Sequence, residues 1–321
     1  MQHFRKVLVG IPVPDIDADG QPIPDPPAQA ALHQARDLAA TTQCSLTLMS
    51  VIDRPADGFL TSDEENEALL SRLIEESEAA VKAVAADLTD GLDIDIEERV
   101  VVGEPWIEIC KAVLADGFQM VLAGTRNAGR LSRFLFGGTG LRLLRNCPCP
   151  VWIVKPRGDE ESPSNVLIAT QLDDVGETAL GLAVGGAEML DARVHVLHVL
   201  DLPPARQLGM DANELEAYRE VKRDEREAEL REHISMTDHR TLEHGVEAHV
   251  VSGRPYVRIL EAIEQQSVDL LIMGTAARGG LQGALVGNTA EHLLSEVSCS
   301  ILAIKPPDFV CPVKLDGEEP R

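Results

Sequence analysis

The sequence predicts an α/β protein built as one domain twice, each copy a doubly wound, five-stranded parallel sheet. Three observations carry the prediction. Residues 101–156 align with 251–306 at a constant offset of 150, without a gap and with 17 identities in 56 positions. A period this long marks a duplicated domain rather than a solenoid. Gly103/Gly253, Pro105/Pro255, Gly124/Gly274, Thr125/Thr275, Gly137/Gly287 and Thr139/Thr289 are among the identical pairs. Within each half, short β-branched runs alternate with longer amphipathic stretches, as right-handed βαβ crossovers require. Runs such as Val166-Leu167-Ile168-Ala169 are apolar at successive positions, which suits strands covered by helices on both faces.

Taken in order, the first half (1–156) offers strands at Val7–Ile11, Ser45–Ile52, Ile94–Val102, Met120–Ala123 and Val151–Val154. The Pro- and Asp-rich stretch Pro12–Pro27 reads as a loop, inserted relative to the second half. Ser62 and Glu65 have capping-box spacing, so a helix is expected from there, with Leu69, Leu73, Val81, Val84 and Leu88 on one stripe. Residues 157–164, rich in Pro, Gly and acid, are the expected linker. The second half (165–306) repeats the order with strands at Val166–Thr170, Arg193–Leu200, Val246–Val251, Leu270–Met273 and Ser300–Ile304. Its long helix, Asp211 to Ile234, carries Arg223/Glu227 and Glu227/Arg231 at i,i+4 and is expected to be more exposed. In the tail, 307–321, Phe309, Cys311, Val313 and Leu315 alternate as in a strand, which predicts a latch onto the opposite half.

Composition narrows the function classes. The 321 residues carry 29 basic and 53 acidic side chains, a net charge of −24, divided as 15 − 23 = −8 over residues 1–157 and 14 − 30 = −16 over 158–321. So acidic a chain repels phosphate backbones and anionic membranes, and neither is an expected partner. Aromatics at 3% leave no stacking platform for single-stranded nucleic acid. Hydrophobic residues at 44% supply two cores and exclude disorder. No apolar run approaches the roughly 18 residues of a membrane span, and the N-terminal run, broken by Pro12, is too short for a signal segment. The cytoplasm is the expected compartment.

Metal and redox motifs are weak. The six cysteines form no disulfide framework, and Cys147-Pro148-Cys149 lacks the two-residue spacing of zinc and thiol-redox pairs. It reads as small apolar residues entering a strand. His195 and His198, three apart in a strand run, point to opposite faces, so they do not form a joint metal site. No metal site is expected.

The glycine loops are the strongest chemical signal. In an open α/β sheet, ligands sit beyond the carboxyl ends of the strands where the winding reverses. Gly124-Thr125-Arg126-Asn127-Ala128-Gly129-Arg130 and Gly274-Thr275-Ala276-Ala277-Arg278-Gly279-Gly280 each follow a strand there. Neither continues into the Lys-Ser/Thr of a P-loop, which rejects that class of NTPase. Further on, Gly137-Gly138-Thr139 and Gly287-Asn288-Thr289 each open a helix, whose first amides form an anion site. The plainer alternative is that these glycines only turn the chain and that Asn288 or Thr289 only caps. Arg126, Arg130, Arg133, Arg142 and Arg145 crowd the first half, where the second has Ala276, Gly280, Gly283, His292 and Ser295. Such arginines suit an anionic ligand, although pairing with the chain's own surplus carboxylates is favoured. Any anion site is therefore expected in the first half.

Segments such as Leu197-His198-Val199-Leu200-Asp201, Val251-Ser252-Gly253-Arg254-Pro255, Val102-Gly103-Glu104-Pro105 and Cys147-Pro148-Cys149-Pro150-Val151 resemble those of the universal stress protein family. The resemblance spans both halves. Asn288-Thr289-Ala290-Glu291 and the passage from Lys305-Pro306 to Leu315 are similar to the tandem E-type members. It implies strand order 3-2-1-4-5 in each half, a Rossmann-like sheet of the adenine nucleotide alpha hydrolase type. It also implies a role in cytoplasmic stress response, including tolerance of DNA damage and starvation. The family's nucleotide-binding branch uses Gly-x2-Gly-x9-Gly-Ser/Thr and an Asp ending the first strand. Here Gly124, Gly137 and Thr139, and Gly274, Gly287 and Thr289, fit that pattern in part. Asn127 and Ala277 replace the second glycine, Gly138 and Asn288 stand at the hydroxyl step, and Pro12 and Gln171 replace the Asp. Losing that charged hydrogen bond costs roughly 1.5–3 kcal/mol, tenfold or more in affinity.

The leading expectation is a non-catalytic tandem binding and interaction module with degenerate nucleotide sites and no obligatory cofactor. ATP or another small anion is the candidate ligand. A weakly ATP-hydrolysing enzyme is the alternative. A third reading is an internal pseudo-dimer, as a monomer or homodimer, that recruits protein partners.

Overall fold

In the computed structural model, described here for residues 4–53, 63–125, 138–156, 164–203, 205–275 and 287–315, each half contains five mutually parallel strands. The first runs β1 (Lys6–Ile11), β2 (Asp15–Ile16), β3 (Pro22–Ile23), α1 (Pro26–Thr42), β4 (Ser45–Ile52), α2 (Asp63–Thr89), β5 (Ile96–Val102), α3 (Pro105–Asp116), β6 (Met120–Gly124), α4 (Gly138–Asn146) and β7 (Val151–Val154). β5, β4, β1, β6 and β7 lie side by side, all parallel, which is the order 3-2-1-4-5. Val7, Leu8 and Val9 at the centre of β1 are completely buried. That is the pattern of a strand with helices on both faces.

The second half runs β8 (Asn165–Thr170), α5 (Asp174–Leu190), β9 (Arg193–Leu200), α6 (Ala205–Leu208), α7 (Ala212–Ser235), β10 (Val246–Ser252), α8 (Pro255–Gln265), β11 (Leu270–Gly274), α9 (Asn288–Glu296) and β12 (Ser300–Ile304). Its order, β10-β9-β8-β11-β12, is again 3-2-1-4-5, and every pair is parallel.

Local chemistry sets the helix ends. Asp25 caps α1 by accepting the Ala28 amide at 2.9 Å, and Asp173 caps α5 by accepting that of Gly176 at 2.9 Å. α7 starts with a capping box in which Asp211 accepts the Glu214 amide at 2.9 Å and Glu214 accepts the Asp211 amide at 2.8 Å. Glu227 pairs with Arg231 at 2.7 Å on its exposed face, as the spacing predicts.

Three expectations are corrected. Pro12–Pro27 is not merely a loop: Asp15 pairs with Ile23 and Ile16 with Pro22 in a short antiparallel hairpin, closed at its turn by Asp17, whose side chain accepts the Asp19 and Gln21 amides. The third strand begins at Ile96 rather than Ile94. The tail forms no strand over 309–315, since Pro306, Pro307 and Pro312 remove ladder donors. Its alternation survives as burial: Phe309, Cys311, Val313 and Leu315 are half-buried, and Val310, Pro312 and Lys314 are exposed. The Ser62/Glu65 box, with Ser62 and the Glu65 side chain, lies outside the described residues.

The described residues divide into two compact units, and the tail belongs with the first half: 309–315 joins the described residues of 4–156, while 164–203, 205–275 and 287–308 form the other unit. Among the described residues no helix is long and apolar enough to cross a membrane.

Candidate functional site

A cavity of about 340 Å³ opens in the C-terminal unit beyond the carboxyl ends of β8, β9 and β11. This is the point where winding reverses from β9 on one side of β8 to β11 on the other. Thr170, Leu197 and Met273 line it from the strands, and Pro255 and Ile259 from α8. Gly287, Thr289 and Ala290, at the start of α9, form another wall.

Several polar groups of the lining hold one another. The Thr170 hydroxyl accepts the Leu172 amide at 2.9 Å, and the Thr170 carbonyl accepts from His198 Nδ1 at 3.0 Å. His198 is 5% exposed, so that bond satisfies an otherwise costly buried ring nitrogen. Leu172 sits at φ 61°, a left-handed conformation that a leucine rarely adopts and that binding sites often store. Asp173 lines the cavity while capping α5, and Asp201 stands exposed at the end of β9. Gly176 is required here, because a Cβ would lie 2.1 Å from the Thr170 hydroxyl.

The expected site residues separate into three groups. Gln171, Gly274, Gly287 and Thr289 line the cavity. Asn288 opens α9 between two of them. Thr275 lies just behind: its amide donates to the Ile304 carbonyl, its carbonyl accepts from Gly287, and its hydroxyl accepts from Lys305 at 2.8 Å. Packing requires glycine at the ends of β6 and β11. A Cβ on Gly124 would meet the Pro27 carbonyl oxygen at 2.4 Å, and one on Gly274 would meet Val175 at 2.8 Å. In the first half Thr125 is buried, with its amide on the Val154 carbonyl, and Gly138 and Thr139 open α4. Arg126, Gly129, Arg130, Gly137 and Gly279 lie outside the described residues.

The described cavity lies in the second half, whereas the first-half loop expected to hold an anion, with Arg126, Arg130 and Arg133, lies outside the described residues. Arg142 is taken up internally: its guanidinium pairs with Glu104 and lies 5.7 Å from the centre of the Trp106 ring. Asp173, His198 and Asp201 were missed as site residues, although His198 and Asp201 sit in a segment that carries the family resemblance. Only the fold shows that the ends of β8 and β9 face one cavity.

Sequence reasoning also missed a cluster of thiols. Cys147 and Cys149 approach to 3.6 Å between sulfurs, and Cys110 of α3 lies against both Cys147 and tail residue Cys311. The neighbouring thiols, and then burial, push the Cys110 pKa far up; Cys147 and burial do the same for Cys149. Thiols held protonated in this way are poor nucleophiles.

The model of the universal stress protein family matches residues 18–155 and again 163–305. The chain belongs to the universal stress protein family. As a tandem member it is similar to universal stress protein E of Escherichia coli K12, with 27% identity over 274 residues that cover 81% of this chain and 84% of that one. It is 29% identical over 240 residues to universal stress protein E of Photorhabdus laumondii, covering 70% and 74%. A universal stress protein structure from Archaeoglobus fulgidus superposes with a TM-score of 0.61 at 19% identity, covering 95% of this chain and 99% of that one. One from Pseudomonas aeruginosa gives 0.61 at 22%, covering 96% and 95%. At these identities the structures establish the shared fold.

Proposed function

We propose that this universal stress protein is a non-catalytic binding module of the cytoplasmic stress response, whose C-terminal unit holds a small anionic ligand, a nucleotide foremost. The observation that carries the reading is the cavity at the switch point with the start of α9 in its wall. The helix cap there is Gly287, which has no side chain to compete with an anion for the first amides of α9. The volume, about 340 Å³, suits a small molecule. Gln171 in place of a carboxylate weakens the base or sugar end of a nucleotide.

Binding without turnover is supported by the state of the lining. His198 and Asp173 are engaged in structural bonds, and Lys305 holds Thr275. A general base must be within hydrogen-bonding reach of the proton it takes; His198 and Asp173 are committed elsewhere, which leaves Asp201, exposed at the end of β9, as the lining carboxylate to test by Asp201→Asn.

Calorimetry with ATP, ADP and AMP, run beside a phosphate-release assay, tests the reading. The expected result is binding weaker than micromolar, lost in Gly287→Val, with no phosphate released. Micromolar ATP binding with slow hydrolysis, both abolished by Gly287→Val, would replace it with the weak ATPase.

A further inference from the structure

A second site lies on the outer strands of the C-terminal unit. β9 and the edge strand β10 run parallel with His195 opposite Glu247 and Leu197 opposite His249. Side chains two apart on a strand share a face, so His195, Glu247 and His249 project together. Their donor atoms all lie within 4.8 Å of one another. His195 Nδ1 is 3.3 Å from Glu247 Oε2, and His249 Nε2 is 3.8 Å from the same oxygen. The two rings stack at 5.9 Å. His195 is 1% exposed, yet its Nδ1, like His249 Nε2, is buried without a hydrogen bond. Two buried ring nitrogens without a hydrogen bond face one carboxylate, an arrangement that a bound cation would satisfy.

The duplication shows what fills this place in the other half. At the offset of 150, Glu247 corresponds to Glu97 and His249 to Arg99; Thr47, opposite Glu97, takes the place of His195. There Arg99 supplies the cation itself, donating to Glu97 at 3.0 Å and to Asp116 at 2.6 Å. In the C-terminal unit that guanidinium is gone, the carboxylate remains, and two imidazoles replace Arg99 and Thr47.

We propose that His195, Glu247 and His249 bind a divalent first-row transition ion, zinc by the balance of its donors. Two imidazole nitrogens and one carboxylate are borderline ligands of the kind zinc accepts, leaving a fourth position open. Tetrahedral bonds of about 2.0–2.1 Å set donor atoms roughly 3.3 Å apart, the separation of His195 Nδ1 from Glu247. Arg193, on the same face at the start of β9, is exposed and points no hydrogen bond at the cluster among the described contacts. Glu247, about half exposed, gives the ion a route in from solvent.

The full chain, without a polyhistidine tag and with its thiols kept reduced, is titrated with Co²⁺ and then with Zn²⁺. One Co²⁺ is expected per chain, with ligand-field absorption of a nitrogen and oxygen site, no intense thiolate charge-transfer band, and displacement by Zn²⁺. Glu247→Gln and His249→Ala should each weaken binding on the order of a hundredfold. Far-UV circular dichroism checks their folds, and the isosteric Glu247→Gln carries the test if His249→Ala does not fold. Absence of binding, unchanged affinity in the folded variants, or a spectrum dominated by thiolate charge transfer would each overturn the site.

Discussion

Cys110 is fully buried and surrounded by sulfur rather than by charge. Its thiol, and that of Cys149, therefore cling to their protons more strongly in the folded protein than in the unfolded chain, where a cysteine titrates near pH 8.5. Above that pH the unfolded chain releases protons that the native state keeps. Fewer protons on the unfolded side mean that stability falls as pH rises. The slope is on the order of 1 kcal/mol per pH unit for each such thiol. Urea unfolding of the N-terminal unit followed from about pH 8 to pH 10 should show this decline, and Cys110→Ala should make it shallower. Equal slopes in the two proteins would mean that the thiol cluster does not control the alkaline limit. The same scale shows what one chain of letters conceals. Gly124 and Gly274 were legible as constrained positions because they repeat at the offset of 150. Their reason, a helix start pressed against the end of a strand, depends on contacts with Pro27 and Val175 that no spacing rule contains.

Elements were the most legible level, because strand burial and helix capping are written in neighbouring residues. Ser45–Ile52, Arg193–Leu200, Val151–Val154 and Ser300–Ile304 have the bounds that their apolar runs predict. Relations between elements were less so. Cys110, Cys147 and Cys311 come from three segments, and His195 meets His249 only through the register of β9 on β10. α7 shows how much an element relies on its local signals. It is a long helix of mostly exposed, charged residues, with Leu215, Leu230 and Ile234 as its buried side chains. Few apolar contacts leave its cap and surface pairs a larger share of its stability. Asp211→Ala removes an acceptor of two amides and breaks the reciprocal bond with Glu214. The expected cost is about 1 kcal/mol, seen as lower hydrogen-exchange protection in the first turns of α7. Unaltered protection would show that β10 and β9 alone hold that end in place.

At the scale of the whole molecule, the segment after the second copy breaks the duplication. The second copy closes with β12, yet 309–315 continues into the unit formed by the first copy. That unit is thus built from two distant stretches of chain, and its thiol cluster is completed by a residue more than 150 positions beyond its own last strand. The contact is modest: alternate tail residues are half-buried and Val310 is 64% exposed. Removing everything after Pro307 takes Cys311 away from Cys110 and with it the half-buried side chains of Phe309, Val313 and Leu315, at an expected cost of roughly 1–2 kcal/mol. For a domain of this size each kcal/mol lowers the melting temperature by about 2–4 °C. Calorimetric melting of the truncated chain should therefore show a lowered transition, together with faster labelling of Cys110 by a thiol reagent. Labelling reports on the first unit specifically, since a fall in melting temperature alone does not say which unit loosened. A truncated chain that melts as the full one does, and whose Cys110 stays as protected, would mean that the tail only rests on the first unit without stabilising it.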